Sequence, residues 1–248
     1  MSIHYENAPI SEALVDIRVE LPSSVTLETL ELIHHHVKNK YPRMEKRFYV
    51  QGQFFAGNEV GAAAKQTIMG YAFTSNDGKQ IFQARLDGFT FSRLRPYGTW
   101  LELRDEGRRL WDIYRDVVTP SKTMRIAVRY VNQIDIPLPH IDYKDYFRTT
   151  PEVSPDLPQE LSGFFMQLQF PQPAFDGTLI LTQLAIPPPT PNTNSVVLDL
   201  DVFKQTLEPI SESELWALLG ILRDRKNDFF EGCITDKTRE LFGKKETY

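Results

Sequence analysis

Cysteine, an excess of positive charge and long apolar runs are all scarce in this sequence. Its 248 residues include one cysteine, Cys233, which excludes an intrachain disulfide and a cysteine metal cluster. Lysine and arginine number 28 against 33 acidic residues, and the net charge of −5 offers no general attraction to nucleic acid or anionic membranes. The longest helical apolar run, residues 215–222, is too short to span a bilayer, and the first residues lack a signal-peptide pattern. We therefore expect a cytoplasmic protein with neither a membrane nor a nucleic-acid partner.

The sequence also lacks the short motifs that accompany common enzymatic chemistry. It contains no GxSxG, HExxH or dinucleotide-binding fingerprint. The glycines Gly57 and Gly61 with Lys65 fail the spacing of a phosphate-binding loop. The run from His34 to His36 cannot converge on one ion, because consecutive side chains on a helix point about 100° apart. We predict no metal, no cofactor and no catalytic residue.

Two similar strand-like stretches are the most informative feature that is present. Residues 13–22 and 128–137 share one alternating hydrophobic phase and end in a proline. In each stretch an acidic residue, Glu20 or Asp135, stands two positions before that proline. Such similarity indicates a duplicated unit. We expect a first pseudo-repeat over residues 1–120 and a second over 121–248, joined in one continuous structural unit.

Each half is predicted to run strand, helix, several antiparallel strands, helix. Asp77-Gly78 and Asp87-Gly88 mark tight hairpin turns, and Ser211 with Glu214 forms a capping box for the last long helix. The predicted strands cover 13–22, 47–55, 66–74, 79–86, 89–95, 128–137, 161–170, 177–186 and 195–203, and the predicted helices cover 27–41, 98–118, 142–147 and the stretch from 211 to Gly232. This order predicts an α+β fold with one curved antiparallel sheet and helices on one face, similar to the helix-grip arrangement of the TATA-binding protein and START-like domains.

Four stretches spread over nearly the whole chain form a recognisable pattern. They are Asn7-Ala8-Pro9-Ile10-x-Glu12-Ala13, Phe91-Ser92-Arg93-Leu94-x-Pro96-Tyr97-x-x-Trp100, Arg129-Tyr130-Val131-Asn132-x-Ile134 and Phe230-Glu231-x-x-Ile234-Thr235. The pattern resembles a sporadically distributed family of uncharacterised bacterial proteins. The resemblance implies no established activity, cofactor or catalytic residue, and the patchy distribution of that family implies mobile or defence-linked gene neighbourhoods.

Asn132 interrupts the apolar phase of the second repeat strand. Aligning the two strands sets Asn132 against Ile17, so an amide stands where the buried face should be apolar. Burying that amide without a partner would cost about 1–3 kcal/mol. A β-bulge or a backbone partner would give it a structural role, whereas a cavity between sheet and helices would make it part of a binding site. The candidate ligand-binding residues are therefore Asn132, Tyr130 on the same face, Arg129 on the opposite face unless a bulge re-aims it, and Arg93.

Charged side chains and the cysteine provide further candidates. Arg125 and Arg129 share one strand face, where they would form either surface salt bridges or an anion site. Asp199 and Asp201 also share a strand face, and solvent is their predicted neighbour rather than a catalytic partner. Cys233 is predicted to be a small buried hydrophobe and not a nucleophile.

These observations favour a non-enzymatic binding or interaction module, an accessory component of a bacterial defence or toxin-control system. The alternative is a small-molecule sensor or enzyme whose ligand lies between sheet and helices. A protein partner predicts an exposed apolar patch, whereas a small ligand predicts a pocket with a few convergent polar groups. The oligomeric state stays open.

Overall fold

The computed structural model describes residues 3–55, 61–206, 208–243 and 245–247. In chain order, the helices and strands are β1 (Ile3–Tyr5), β2 (Ile10–Glu20), α1 (Leu27–Val37), β3 (Arg43–Phe55), β4 (Gly61–Thr74), β5 (Gln80–Arg85), β6 (Gly88–Leu94), α2 (Trp100–Val118), β7 (Lys122–Ile136), α3 (Tyr143–Tyr146), β8 (Phe165–Gln172), β9 (Gly177–Ile186), β10 (Asn194–Gln205), α4 (Glu212–Cys233), α5 (Asp236–Leu241) and β11 (Lys245–Thr247).

One antiparallel sheet of nine strands organises the fold. Its order is β3-β4-β5-β6-β2-β7-β10-β9-β8, so the strands of the two predicted repeats, β2 and β7, lie side by side at its centre. A separate two-stranded sheet joins β1 to β11. The prediction of an α+β fold with an antiparallel sheet is confirmed. Among the described residues, no helix is long and apolar enough to cross a membrane.

Strict alternation in β2 and β7 divides the sheet into two faces. In β2, Ala13, Val15 and Ile17 are fully buried beneath helices α2 and α4, while Asp16 and Arg18 point the other way. We call these two sides the helix-covered face and the helix-free face. The helix-covered face holds the main core, where the ring centroids of Phe89 and Trp111 lie 5.6 Å apart. Burial of such aromatic side chains is the main stabilising contribution of this layer.

Helix α2 reaches the sheet closely because it carries a glycine at the contact. A Cβ atom built on Gly107 would lie 3.3 Å from Val15 Cγ2 and 3.8 Å from Trp216 Cη2 of α4. The helix begins at a capping box, in which Thr99 Oγ1 accepts from the Glu102 N–H and the Glu102 carboxylate accepts from the Thr99 N–H. The absence of a side chain at Gly107 is what lets α2 lie this close to β2 and α4.

Several predicted boundaries are wrong. Strand β4 begins at Gly61 instead of residue 66, and residues 56–60 lie outside the described residues. Strand β8 covers Phe165–Gln172 instead of 161–170. Gly232 does not end α4, which continues to Cys233. Each error falls at an end of an element, where local sequence constrains the backbone least.

Candidate functional site

Polar side chains gather on the helix-free face around a cleft with a volume of about 580 Å³. This volume lies within the range typical of small-molecule sites. The cleft lies across the centre of the sheet, over the seam between β2 and β7. Its lining residues come from five strands and are Leu14, Asp16, Arg18, Gln83, Arg85, Thr90, Arg125, Ala127, Arg129 and Asp201.

Asp16 is the central acceptor of the cleft. Its Oδ2 accepts from Arg85 at 3.0 Å and from the Thr90 hydroxyl at 2.7 Å. Its Oδ1 accepts from Arg18 at 3.0 Å and from Arg125 at 3.2 Å. Burial raises the pKa of this carboxyl, but the charges of Arg85 and Arg18 together with the Thr90 hydrogen bond outweigh burial, so the pKa lies below its usual value. Asp16 is therefore held ionised.

Strands β7 and β10 contribute two further ion pairs to the cleft. Arg125 Nη2 donates to Asp201 at 2.7 Å, and its guanidinium carbon lies 4.2 Å from the Phe203 ring centroid. Arg129 Nε donates to both oxygens of Asp199, at 2.9 and 3.1 Å. The expectation that Arg125 and Arg129 share one face is confirmed. The expectation that solvent surrounds Asp199 and Asp201 is wrong, because both carboxylates lie against arginines from the neighbouring strand.

The charges of the cleft form two layers. The side chains of Arg18 and Arg129 are 39% and 47% exposed, whereas those of Asp16 and Asp199 are 9% and 11% exposed. The carboxylates of Asp16 and Asp199 thus lie at the floor and hold the arginines. The more exposed carboxylate of Asp87 pairs with Arg18 Nη1 and with Arg85 Nε, so Arg129 is the arginine whose guanidinium edge is most open to solvent. Such edges can donate paired hydrogen bonds to a carboxylate or phosphate.

Asp201 is the least satisfied group in the cleft. Its Oδ2 accepts from Arg125, but its buried Oδ1 has no hydrogen-bond partner. Burial raises the pKa of this carboxyl, and the nearby Arg125 and Arg129 offset that effect only in part. A buried acceptor without a donor lowers the stability of the fold.

The four residues predicted as a ligand site do not come together. Arg129 lies in the cleft, whereas Tyr130, Asn132 and Arg93 lie on the helix-covered face. There the Tyr130 hydroxyl is 2.8 Å from that of Tyr97, and Arg93 lies 3.5 Å from a carboxylate oxygen of Glu102. Arg129 is thus separated from the other three by the thickness of the sheet.

Asn132 is held by backbone groups of the sheet. Its Nδ2 donates to the Leu198 carbonyl at 3.0 Å and to the Tyr130 carbonyl at 3.4 Å. The register between β2 and β7 shifts between Ile10 and Glu12, directly beside Asn132. The structural interpretation offered a β-bulge or a backbone partner as alternatives, and Asn132 has both a register shift beside it and backbone partners.

Lys226 of α4 is a buried cation that sequence reasoning missed. It is 6% exposed, and its Nζ lies 3.7 Å from the centroid of the Tyr130 ring. Its position among Leu222, Phe229 and Phe230 on the helical period is a signal that could have revealed it. Asp16 and Arg85 were also missed, since their alternation pattern assigns them to solvent.

The remaining sequence candidates have structural surroundings. His34 stacks on Phe73 with ring centroids 5.6 Å apart, and its Nε2 lies 3.2 Å from the Pro42 carbonyl oxygen. Cys233 is buried, and burial raises the pKa of its thiol to about 12, which confirms it as a small buried side chain. Within the described part of the chain, no three His, Cys, Asp or Glu side chains are grouped so that they could hold a metal ion.

Neither the protein-family models nor the curated proteins that were compared with this chain give a match.

Proposed function

We propose that the protein is a non-enzymatic binding module that holds a small anionic ligand in the cleft on the helix-free face. The observation that carries this proposal is the layered arrangement of charge, in which buried carboxylates hold arginines whose outer edges remain open. Four arginines line the cleft. A pocket with convergent polar groups is the feature that favours a small ligand over a protein partner.

The ligand class follows from the donors of the cleft. The exposed guanidinium edge of Arg129 suits a carboxylate or phosphate, and Arg18, which also pairs with Asp87, adds positive charge beside it. A metabolite-sized molecule that carries an anionic group satisfies these donors, whereas a purely apolar molecule does not.

Asp16 is suited to a structural role and not to that of a general base. The carboxylate of Asp16 is ionised and its four hydrogen-bond positions are taken by Arg85, Thr90, Arg18 and Arg125. A general base needs a free lone pair and a pKa near the working pH. The role in a bacterial defence or toxin-control system stays a proposal based on the family resemblance.

The proposed duplication places the cleft at the junction of two related halves. Outward from the central β2–β7 pair, each half presents its last strand first, β6 or β10, and then its earlier strands in reverse order. In each half the strands of the large sheet are followed by a long helix on the helix-covered face, α2 or α4, and the second half continues into α5 and β11. This two-fold order supports the pseudo-repeat and a helix-grip-like arrangement. The halves differ in strand number and in their first helix, which has 11 residues in α1 and 4 in α3.

Calorimetric titration tests the proposal directly. The probes are inorganic phosphate, citrate, a nucleoside monophosphate and an acidic amino acid, each against the purified chain. We expect at least one to bind, and Arg129→Ala to weaken its affinity tenfold or more, since a hydrogen bond to a charged group contributes about 1.5–3 kcal/mol. Arg129→Lys keeps the charge but removes the planar fork, so it should give an intermediate loss.

Arg109→Ala is the matched control. Arg109 lies on α2, is 45% exposed against 47% for Arg129, and pairs with Glu106 as Arg129 pairs with Asp199. This variant should bind the probe like the wild type. Absence of binding by all four probes, or equal affinity in the Arg129→Ala and Arg109→Ala variants, would refute the cleft as the ligand site.

A further inference from the structure

Strand β8 forms one edge of the nine-stranded sheet, and Pro171 near its end is the one residue in it of a type that blunts edge strands. Within the described residues it pairs with β9 alone. No charged residue occurs from 161 to 175, and the side chains of Phe165, Gln167 and Gln169 are exposed. Edge strands of monomeric proteins are usually blunted by charges, bulges or a covering element, because their free N–H and C=O groups attract other strands.

The register of β8 shows which backbone groups point away from the sheet. The Ala185 N–H donates to the Phe164 carbonyl at 3.1 Å, and the β8–β9 register continues from that pair without a shift. In an antiparallel ladder the hydrogen-bonding side alternates from residue to residue. Even-numbered residues of β8 therefore bond to β9, and the N–H and C=O groups of Phe165, Gln167 and Gln169 point outward.

The sequence of β8 is self-complementary about Leu168. When a second β8 is laid antiparallel with Leu168 opposite Leu168, Gln167 faces Gln169, and Met166 faces Phe170. At each end of the pairing Phe165 faces Pro171, which has no N–H, so that pair forms one backbone hydrogen bond instead of two. Both glutamine pairs then exchange their outward backbone hydrogen bonds, because those are the residues whose backbone groups are free. The half-buried Met166, Leu168 and Phe170 of the helix-covered face extend one apolar row across the junction.

We propose that β8 is a homodimerisation edge, at which a second copy of this chain pairs antiparallel about a two-fold axis through Leu168 and continues the sheet. The interface is isologous, since each copy presents the same strand to the other. The opposite edge is unsuited to this role, because β3 begins with the basic residues Arg43, Lys46 and Arg47, with Glu45 among them. Like charges directly opposite one another destabilise a strand pair.

Two double variants with equal numbers of substitutions test the edge and its register. Gln167→Lys with Gln169→Lys places lysine opposite lysine in both cross-strand pairs, whereas Gln167→Lys with Gln169→Glu places lysine opposite glutamate. By analytical ultracentrifugation at tens of micromolar chain, we expect the wild type to sediment at twice the chain mass of 28.7 kDa. The lysine–lysine variant should sediment as a monomer, and the lysine–glutamate variant should remain a dimer. The lysine–glutamate variant should associate at least tenfold more tightly than the lysine–lysine variant. Circular dichroism melting should be alike for both, since these side chains are exposed.

Disulfide trapping fixes the register independently. Leu168→Cys places two cysteines opposite each other at a narrow, non-hydrogen-bonded pair, where Cα atoms about 4.5 Å apart allow a disulfide. Gln167→Cys is the control and should not cross-link, because its counterpart lies diagonally. The native Cys233 is buried and can be replaced by serine in both variants. A monomeric wild type at the stated concentration, a dimeric lysine–lysine variant, or cross-linking at 167 in preference to 168 would overturn the proposal.

Discussion

Lys226 makes the stability of this protein depend on pH in the mildly alkaline range. Its ammonium group is buried against the Tyr130 ring, and no carboxylate pairs with it among the described residues. Burial and, to a smaller extent, the nearby charge of Arg223 lower the pKa of Lys226 to about 7, while Glu231 and Asp224 offset these effects only in part. Lysine in an unfolded chain has a pKa of about 10.4.

The direction of the effect follows from proton binding. Between pH 7 and 10 the unfolded chain keeps its proton on Lys226 while the folded chain releases it. Stability rises with pH wherever the unfolded state binds more protons, by about 1.4 kcal/mol per pH unit for one group. Allowing for partial titration of both states at the ends of the range, the gain from pH 7 to pH 9 amounts to about 2 kcal/mol. Below pH 7 both states are protonated, and this contribution becomes constant.

Lys226→Met isolates the effect, because methionine retains the length and apolar stem of lysine without its charge. Urea denaturation at pH 6, 7, 8 and 9 gives the free energy of unfolding of both proteins. The difference in favour of the methionine variant should be largest at pH 6 and 7 and should shrink by about 2 kcal/mol by pH 9. Other titrating groups are common to both proteins and cancel. Parallel curves for the two proteins across this range would refute a depressed pKa at Lys226.

Three further variants test other parts of the structure by urea denaturation. Asn132→Leu removes a donor to two backbone carbonyls and should lower stability by about 1–3 kcal/mol, whereas unchanged stability with lost ligand affinity would indicate a binding role. Asp16→Asn removes one of the two carboxylates that pair with the buried Arg85, of which Asp87 remains, and should lower stability by about 1–3 kcal/mol at pH 7. Because the pKa of Asp16 is lowered, that cost should disappear as pH falls through the folded-state pKa, and a pH-independent cost would contradict the ion pairs. Gly88→Ala should cost about 2 kcal/mol or more, since its φ is +150° and a Cβ would lie 2.3 Å from the Ile17 carbonyl oxygen, while Gly163→Ala, with open space around it, should be neutral.

The centre of the sheet could be predicted because its sequence signals are local and strict. Alternation in β2 places Ala13, Val15 and Ile17 on one face, and all three are fully buried. Gly78 and Gly88 mark tight turns, and both adopt positive φ angles of 72° and 150°. Local rules of this kind use only neighbouring residues, so one sequence suffices to apply them.

The strand order could not be predicted with the same means. Strand β6 pairs with β2, and β10 pairs with β7, across long stretches of chain. Such pairings depend on contacts between distant residues, to which neither alternation nor turn chemistry is sensitive. The helix-covered position of Asn132 was foreseeable from phase, but its partner was not, since the Leu198 carbonyl belongs to a strand 66 positions away.

The cleft could not be predicted from strand alternation. Alternation assigns each side chain to one face of the sheet, but it does not show which strands lie side by side. Alternation places Asp16 opposite the core, and a charged side chain there is normally solvated. In this sheet its partners are Arg85 on β5 and Arg125 on β7, and Arg125 continues the chain of ion pairs to Asp201 on β10. Each of the four charges is unremarkable in its own strand, and they form a site only when the strands are set side by side in this order.

Because Arg85 and Asp16 come from the first half and Arg125 and Asp201 from the second, neither half alone can assemble the cleft. A ligand held there would join the two halves across the β2–β7 seam, so its binding should stabilise the whole sheet and not one half.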